Sequence, residues 1–262
     1  MKALDFHTHL AEGGRWFYRD LPADAETLIA DLDAADAELA VLLPIAGRDR
    51  EEWALKTAEL SAGRILSFLP VDPLGETPSQ RLEKIRGADA RGLKLHPRLQ
   101  ELRLSDPKVV TFFQQLARSF HGVLLIDCFF TDHEPAEHVE EVASFVEQVE
   151  GMTLVLAHCG AFAFQEIVPL AKKYEHVRVD TSFTFNLFRK HGKTDLIRGL
   201  GARLADLPAE KILFGSDFPE CPVADSRQLL EAVMEEAGFS QADRWRILGD
   251  NARRLLWEDS HA

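Results

Sequence analysis

Short apolar runs alternate with longer amphipathic stretches along the whole chain. Residues 3–9, 39–45, 65–71, 92–96, 123–128, 153–158, 177–181 and 211–217 read as eight strands. Most are apolar at successive positions, as strands buried on both faces of a parallel sheet must be. Between them, residues 23–35, 51–62, 77–87, 107–120, 134–149, 162–174, 195–205 and 226–237 carry helical periodicity. Asp106 followed by Pro107 is a start signal, an N-cap with proline at the first helical position. Gly151 and Gly238 stand where a glycine ends a helix. Eight strands, each followed by a helix, predict an α/β fold, a (β/α)8 TIM barrel. The first strand is followed by Leu10-Ala11-Glu12-Gly13-Gly14-Arg15, which is no dinucleotide fingerprint, so a doubly wound sheet is the weaker reading. No Pro-, Gly- or Ser-rich linker interrupts the chain. One domain over residues 1–262 is expected, with one or two extra helices over residues 241–256.

Composition narrows the class. The chain has 262 residues, 46% apolar and 28% charged, with a formal net charge of −13. That apolar fraction is too high for intrinsic disorder. The richest apolar stretch, residues 152–164, is too short to span a bilayer and contains His158 and Gly160. An acidic chain without a local basic patch repels a phosphate backbone, so nucleic acid is excluded as an expected partner. Three cysteines are too few for a disulfide framework. The start Met-Lys-Ala-Leu-Asp-Phe-His has no apolar signal region, so a cytoplasmic location is expected. The expected partner is a small-molecule substrate, with homo-oligomerisation left open.

A barrel places its chemistry at the C-terminal ends of its strands. Those ends carry His7 and His9, Lys94 and His96, Asp127, His158, Asp180 and Asp217. Six of eight strands thus end in ionisable groups, which are costly in a packed interior unless paired or bound to metal. His7 and His9 share a face, because alternate residues of a strand do. Two imidazoles with carboxylates suit zinc, with manganese or iron as alternatives. Taken alone, a His-x-His pair also fits an edge strand facing solvent. Asp217 ends an apolar strand, and Pro219 and Pro222 delay the helix it would otherwise cap. It is expected to ligate metal or to take a proton. His158 shares parity with Leu154 and Leu156, which read as an inward set. It reads as a ligand or general acid/base, against the alternative of a core histidine.

The sequence resembles the amidohydrolase superfamily, in the amidohydrolase-2 branch that includes aminocarboxymuconate-semialdehyde decarboxylase and related lactone hydrolases. The carriers are Asp5-Phe6-His7-Thr8-His9, Gly92-Leu93-Lys94-Leu95-His96-Pro97, Leu156-Ala157-His158-Cys159-Gly160, Leu213-Phe214-Gly215-Ser216-Asp217-Phe218-Pro219 and the closing Gly249-Asp250-Asn251-Ala252-Arg253-Arg254-Leu255-Leu256. The resemblance implies a barrel holding one divalent metal, usually zinc. It implies His7, His9 and Asp217 as ligands and His158 as a contact to the metal site or substrate. The family's fifth-strand histidine is replaced by Asp127, which is expected to be a further ligand. His133, in the following loop, is the alternative. Carboxylation of Lys94 is not expected in this branch; a salt-bridged lysine is an equal reading. Asp180 reads as a structural ion pair more readily than as a catalytic group.

For substrate binding the expected residues are Arg15, Trp16, Lys94, His96, Arg98 and Arg189, because guanidinium groups suit carboxylates. Tyr18, Asn186, Lys190 and His191 lie in the same loops. The expected activity is metal-dependent hydrolysis of a small carboxylate-bearing ester, lactone or amide, with Asp217 and His158 catalytic. The alternatives are non-oxidative decarboxylation of an aromatic or muconate-type acid, and a metal-free barrel acting as a binding protein.

Overall fold

Runs such as Val123–Ile126, apolar at every position, have no polar face to turn to water and become inner strands. The computed structural model describes residues 2–258. Among these, the strands are β1 (Ala3–Thr8), β2 (Ala37–Leu42), β3 (Ile65–Ser67), β4 (Leu69–Pro70), β5 (Gly92–Leu95), β6 (Val123–Ile126), β7 (Thr153–Leu156), β8 (Val177–Asp180) and β9 (Ile212–Leu213). All pair in parallel, β1 through β3 in one set and β4 through β9 in another. Phe68 joins the sets, its N–H donating to Leu42 O. Closure runs through Phe6 N–H to Phe214 O, Asp217 N–H to His7 O and His9 N–H to Phe218 O, at 2.7–2.8 Å. The result is a closed α/β barrel in which the third barrel strand is split into β3 and β4. The last strand is shorter than the apolar run 211–217 suggested, because residues 214–218 bond irregularly to β1.

The helices are α1 (Ala25–Ala34), α2 (Glu51–Leu60), α3 (Pro78–Ala88), α4 (Pro107–Leu116), α5 (Ala136–Gln148), α6 (Phe164–Lys173), α7 (Thr184–Lys190), α8 (Thr194–Ala205), α9 (Val223–Glu236), α10 (Gln241–Trp245) and α11 (Asn251–Trp257). Local chemistry starts several of them. Asp24 accepts from Thr27 N–H, and Thr77 and Gln80 form a capping box ahead of Pro78. Asp106 caps α4 as its sequence indicates. Helix α7 has no such signal: Phe183, at φ 60°, offers no capping side chain. Burial of Phe185 and Phe188 holds it instead, with Phe188 against Phe162 at 5.2 Å between ring centroids.

One buried cluster fills the barrel: Leu4, Phe6, Val41, Phe68, Leu125, Val155 and Leu213. Phe6 meets Phe68 edge-on at 5.7 Å although β2 lies between their strands, so the contact crosses the interior. A Cβ on Gly92 would fall 2.3 Å from the Phe68 ring, so only glycine fits beneath it. Ala252, Leu255 and Leu256 of α11 join this cluster. Arg253 of the same helix donates to Lys2 O, so α11 plugs the end where β1 begins. The opposite end is left for chemistry.

Candidate metal centre and active-site mouth

The pairing of β1 with β2 shifts register between Asp5 and Thr8, a bulge that adds a residue to β1. Bulges re-aim side chains beside active sites. Here Phe6 stays in the interior cluster and His7 and His9 still converge. His7 Nε2 lies 3.2 Å from His9 Nε2, and Asp217 Oδ1 lies 3.5 and 3.4 Å from these two nitrogens. Asp217 sits at φ 68°, a left-handed conformation that side chains other than glycine rarely adopt and that clusters at functional sites. Gly215 permits the approach: a Cβ there would stand 2.7 Å from His7 Cβ and 3.1 Å from Ser182 Cβ.

The outer nitrogens fix the tautomers. His9 Nδ1 lies 2.9 Å from Leu43 O, which can only accept, so Nδ1 carries the proton. His7 Nδ1 lies 2.9 Å from Asp180 Oδ2. Burial pushes the Asp180 carboxyl up, but the interaction and hydrogen bond with His7, the His158 charge and the Ser182 hydrogen bond outweigh it and hold it well below the usual carboxylate range. Asp180 therefore accepts and His7 Nδ1 donates. Both Nε2 atoms then present lone pairs to each other and to a carboxylate oxygen. Burial keeps the two rings neutral, driving His7 down to about 4 against Asp180 and holding His9 well below its usual range. Burial also lifts Asp217 to about 7. With Asp217 ionised, three acceptors within 3.5 Å repel one another. A proton on the Asp217 carboxyl or a cation among them relieves this, and two neutral imidazoles with one carboxylate are a borderline-metal donor set. The residues fit a divalent ion.

Asp127 and His158 do not join that group. His158 Nε2 is 3.2 Å from Asp127 Oδ2, and His96 Nε2 is 3.4 Å from the same oxygen. His158 Nδ1 faces Ser182 O at 3.1 Å. With an acceptor at each nitrogen, the ring is held as a double donor. Burial disfavours that charge, but the hydrogen bond and charge of Asp127, with Asp217 and Asp180 behind, raise His158 to about 9. Burial presses the Asp127 carboxyl up too, yet His96 and His158 hold it well below its usual range. Asp127 and His158, expected among the ligands, are thus engaged with each other and form a second, acidic site beside the first. The His7 and His158 rings lie 4.8 Å apart.

Asp180 links the two. Its Oδ1 accepts from His158 N–H and Ser182 N–H, each at 3.0 Å, and from Ser182 Oγ. Its Oδ2 holds His7. Sequence alternation treated Asp180 as an ion pair. The polar Asp180-Thr181-Ser182 run past β8 was the available signal of a larger role. Lys94 is fully buried, its Nζ without a hydrogen-bond partner among the described residues, in the field of Asp127, Asp180 and Asp217. Burial lowers its pKa while those carboxylates raise it.

A cavity of about 350 Å³ opens above these groups, lined by His9, His96, Asp127, His158 and Asp217 below and by Trp16, Tyr18, Arg19, Arg98, Phe129 and Glu220 around the rim. Trp16 stacks on His9 at 5.2 Å and 21°, and donates from Nε1 to Glu220 Oε1 at 2.7 Å. Phe129 meets His158 edge-on. Of the expected substrate-binding residues, Trp16, His96 and Arg98 line the cavity and Lys94 lies buried below it. Arg15 does not: its guanidinium is taken by Asp20. Arg189 does not either, being exposed on α7 and bonded to Asn186. Arg19 and Glu220, paired at 3.2 Å, occupy the rim instead. His133 is exposed beside Asp132, away from the ligands. No helix among the described residues is long and apolar enough to cross a membrane.

The sequence model described as amidohydrolase matches residues 4–256. No curated protein matches the chain. Among solved structures, a zinc-bound amidohydrolase from Burkholderia multivorans superposes with TM-score 0.76 at 19% identity, covering 98% of this chain and 99% of that one. A putative 2-pyrone-4,6-dicarboxylic acid hydrolase from Pseudomonas putida gives TM-score 0.73 at 18% identity, covering 97% of each chain. A 2,6-dihydroxybenzoate decarboxylase, solved with 2,6-dihydroxybenzoate, gives 0.68 at 15% identity, covering 98% of each.

Proposed function

The chain belongs to the amidohydrolase family, and from that premise we propose that it is a metal-dependent hydrolase of small carboxylate-bearing esters, lactones or amides, with zinc as the metal. The observation that carries this reading is the convergence of His7 Nε2, His9 Nε2 and Asp217 Oδ1 within 3.5 Å, each with its lone pair facing the others. A divalent cation held there supplies Lewis acidity, polarising a carbonyl and acidifying water.

The remaining steps fall to the chain's own groups. Asp217 keeps a second carboxylate oxygen that can take a proton from the attacking water. His158, protonated between Asp127 and Ser182 O, can deliver a proton to the leaving oxygen or nitrogen. Asp127 stabilises that imidazolium and orients it, and Ser182 holds its other nitrogen. Arg98 carries its guanidinium over the Phe129 ring at 5.4 Å and has no carboxylate partner among the described residues, so it is available to a substrate carboxylate. Trp16 covers His9 and narrows the entrance.

The test is turnover of a lactone and ester panel by zinc-loaded protein, with metal content measured in parallel. Hydrolysis that disappears on chelation and returns with zinc is expected. Carbon dioxide released from an aromatic acid, with no lactone or ester cleaved, would transfer the site to decarboxylation. Failure to take up any divalent metal at neutral pH would point to a binding protein.

A further inference from the structure

A second cavity of about 300 Å³ adjoins the mouth. Arg98, Asp127 and Phe129 line both. It runs outward between the segment after β5 and helix α5, with Leu102, Leu104, Phe130 and Val142 among its walls. Leu104, Phe130 and Val142 are buried.

The polar groups that reach this space are largely spoken for. Glu134 Oε1 lies 2.7 Å from His138 Nδ1, Arg103 is paired with Glu141, and Asp127 is engaged by His96 and His158. Glu101 is exposed. What remains for a guest is an apolar wall, the guanidinium of Arg98 at the junction with the reacting groups, and the solvent-exposed carboxylate of Glu101. A polar arm placed there would lose its water without gaining partners, whereas an apolar arm loses nothing.

We propose that this compartment receives an aliphatic or aryl substituent of the substrate, so that the preferred substrates are amphipathic: a carboxylate and a scissile carbonyl at the mouth, and an apolar arm beyond Phe129. This deepens the hydrolase reading and rests on the mouth being the reacting site. Leu102 is a specificity-determining residue on this account, because its half-buried side chain lies in the wall of the compartment but outside the donor clusters.

Binding without turnover tests it. Straight-chain carboxylates from acetate to decanoate are titrated calorimetrically into zinc-loaded protein. Acetate is too short to pass Phe129 and serves as the reference. Affinity is expected to rise by about fourfold for each methylene that enters the cavity, and then to level off. In Leu102→Trp the decanoate-to-acetate ratio is expected to collapse toward one. In Leu102→Ala the levelling-off moves to longer chains. An affinity independent of chain length in the wild-type protein overturns the proposal, as does an unchanged ratio in a folded Leu102→Trp. Should circular dichroism show Leu102→Trp unfolded, Leu102→Ala decides alone, and an unshifted plateau overturns the proposal. These outcomes are separate from the hydrolase reading: chain-length-dependent binding with no lactone or ester cleaved sinks the activity and leaves the compartment, and the reverse result does the opposite.

Discussion

His158 Nε2 lies 3.2 Å from Asp127 Oδ2 while its Nδ1 faces the carbonyl of Ser182, so the ring is bracketed by acceptors and held as an imidazolium. In metal-free protein, imidazole NMR should show His158 losing its proton only near pH 9. The sign for stability follows. A folded pKa raised above the ordinary 6.5 gives stability that is fully present below pH 6.5 and lost as pH rises through about 9. The urea midpoint of the metal-free protein should therefore carry a falling component over that window. Asp127→Asn should remove this component and return the His158 pKa toward 6.5.

The two clusters should separate by metal content. His9→Ala and Asp217→Ala each delete one of three converging donors and are expected to leave the purified protein without stoichiometric zinc. Asp127→Asn and His158→Gln are expected to keep it, because those side chains bond each other. If the hydrolase reading holds, His158→Gln should still lose about 10²–10⁴-fold in kcat, the range for a removed general acid. Elemental analysis alongside kinetics reads both quantities.

Asp180 acts through its neighbours. It fixes the His7 tautomer from Oδ2 and receives the His158 and Ser182 N–H groups on Oδ1. Asp180→Asn keeps the shape but can present its amide to His7 Nδ1 as a donor, favouring the wrong tautomer. Zinc affinity, measured by chelator competition, is expected to fall about 10–100-fold, the usual cost of losing an outer partner of a ligating histidine.

Gly215 should tolerate no side chain. The 2.7 Å approach of a built Cβ to His7 Cβ meets an atom fixed to the backbone, not the end of a flexible chain. Gly215→Ala is expected to cost about 1–3 kcal/mol in denaturant unfolding, as overpacking in a dense core does. It should also weaken zinc binding by displacing His7. Gly87→Ala, where a Cβ meets nothing within 4 Å, is the control and should leave zinc binding intact.

Much of the architecture was legible in the chain. Apolar runs at regular intervals give the strand order, and Asp106-Pro107 marks a helix start by local hydrogen bonding that needs no tertiary context. Helix α7 was not legible, because it lacks a cap and is held by the burial of Phe185 and Phe188 against distant residues. The splitting of the third barrel strand at Phe68 and the bulge in β1 were equally hidden. Both answer to side chains on other strands.

The sequence by itself determined the barrel and the set of imidazoles and carboxylates at its strand ends, because apolar runs of strand length and the polar residues that end them are local features. Alternation gives the facing of Lys94, His96, Asp127 and Asp180, but not of His7 and His9, which follow the bulge in β1, nor of His158, whose parity partners Leu154 and Leu156 pack outward while Val155 and Ala157 face the barrel interior. Only the tertiary structure decided how that set divides: His7, His9 and Asp217 around one point, Asp127 with His158 and His96 around another, and Asp180 between them. That division depends on which strand ends face each other across the barrel, on a left-handed backbone at Asp217 and His158, and on a glycine thin enough to let two strands close. Each of these is a relation between residues far apart in the chain, set by closure and packing, and no local periodicity encodes it.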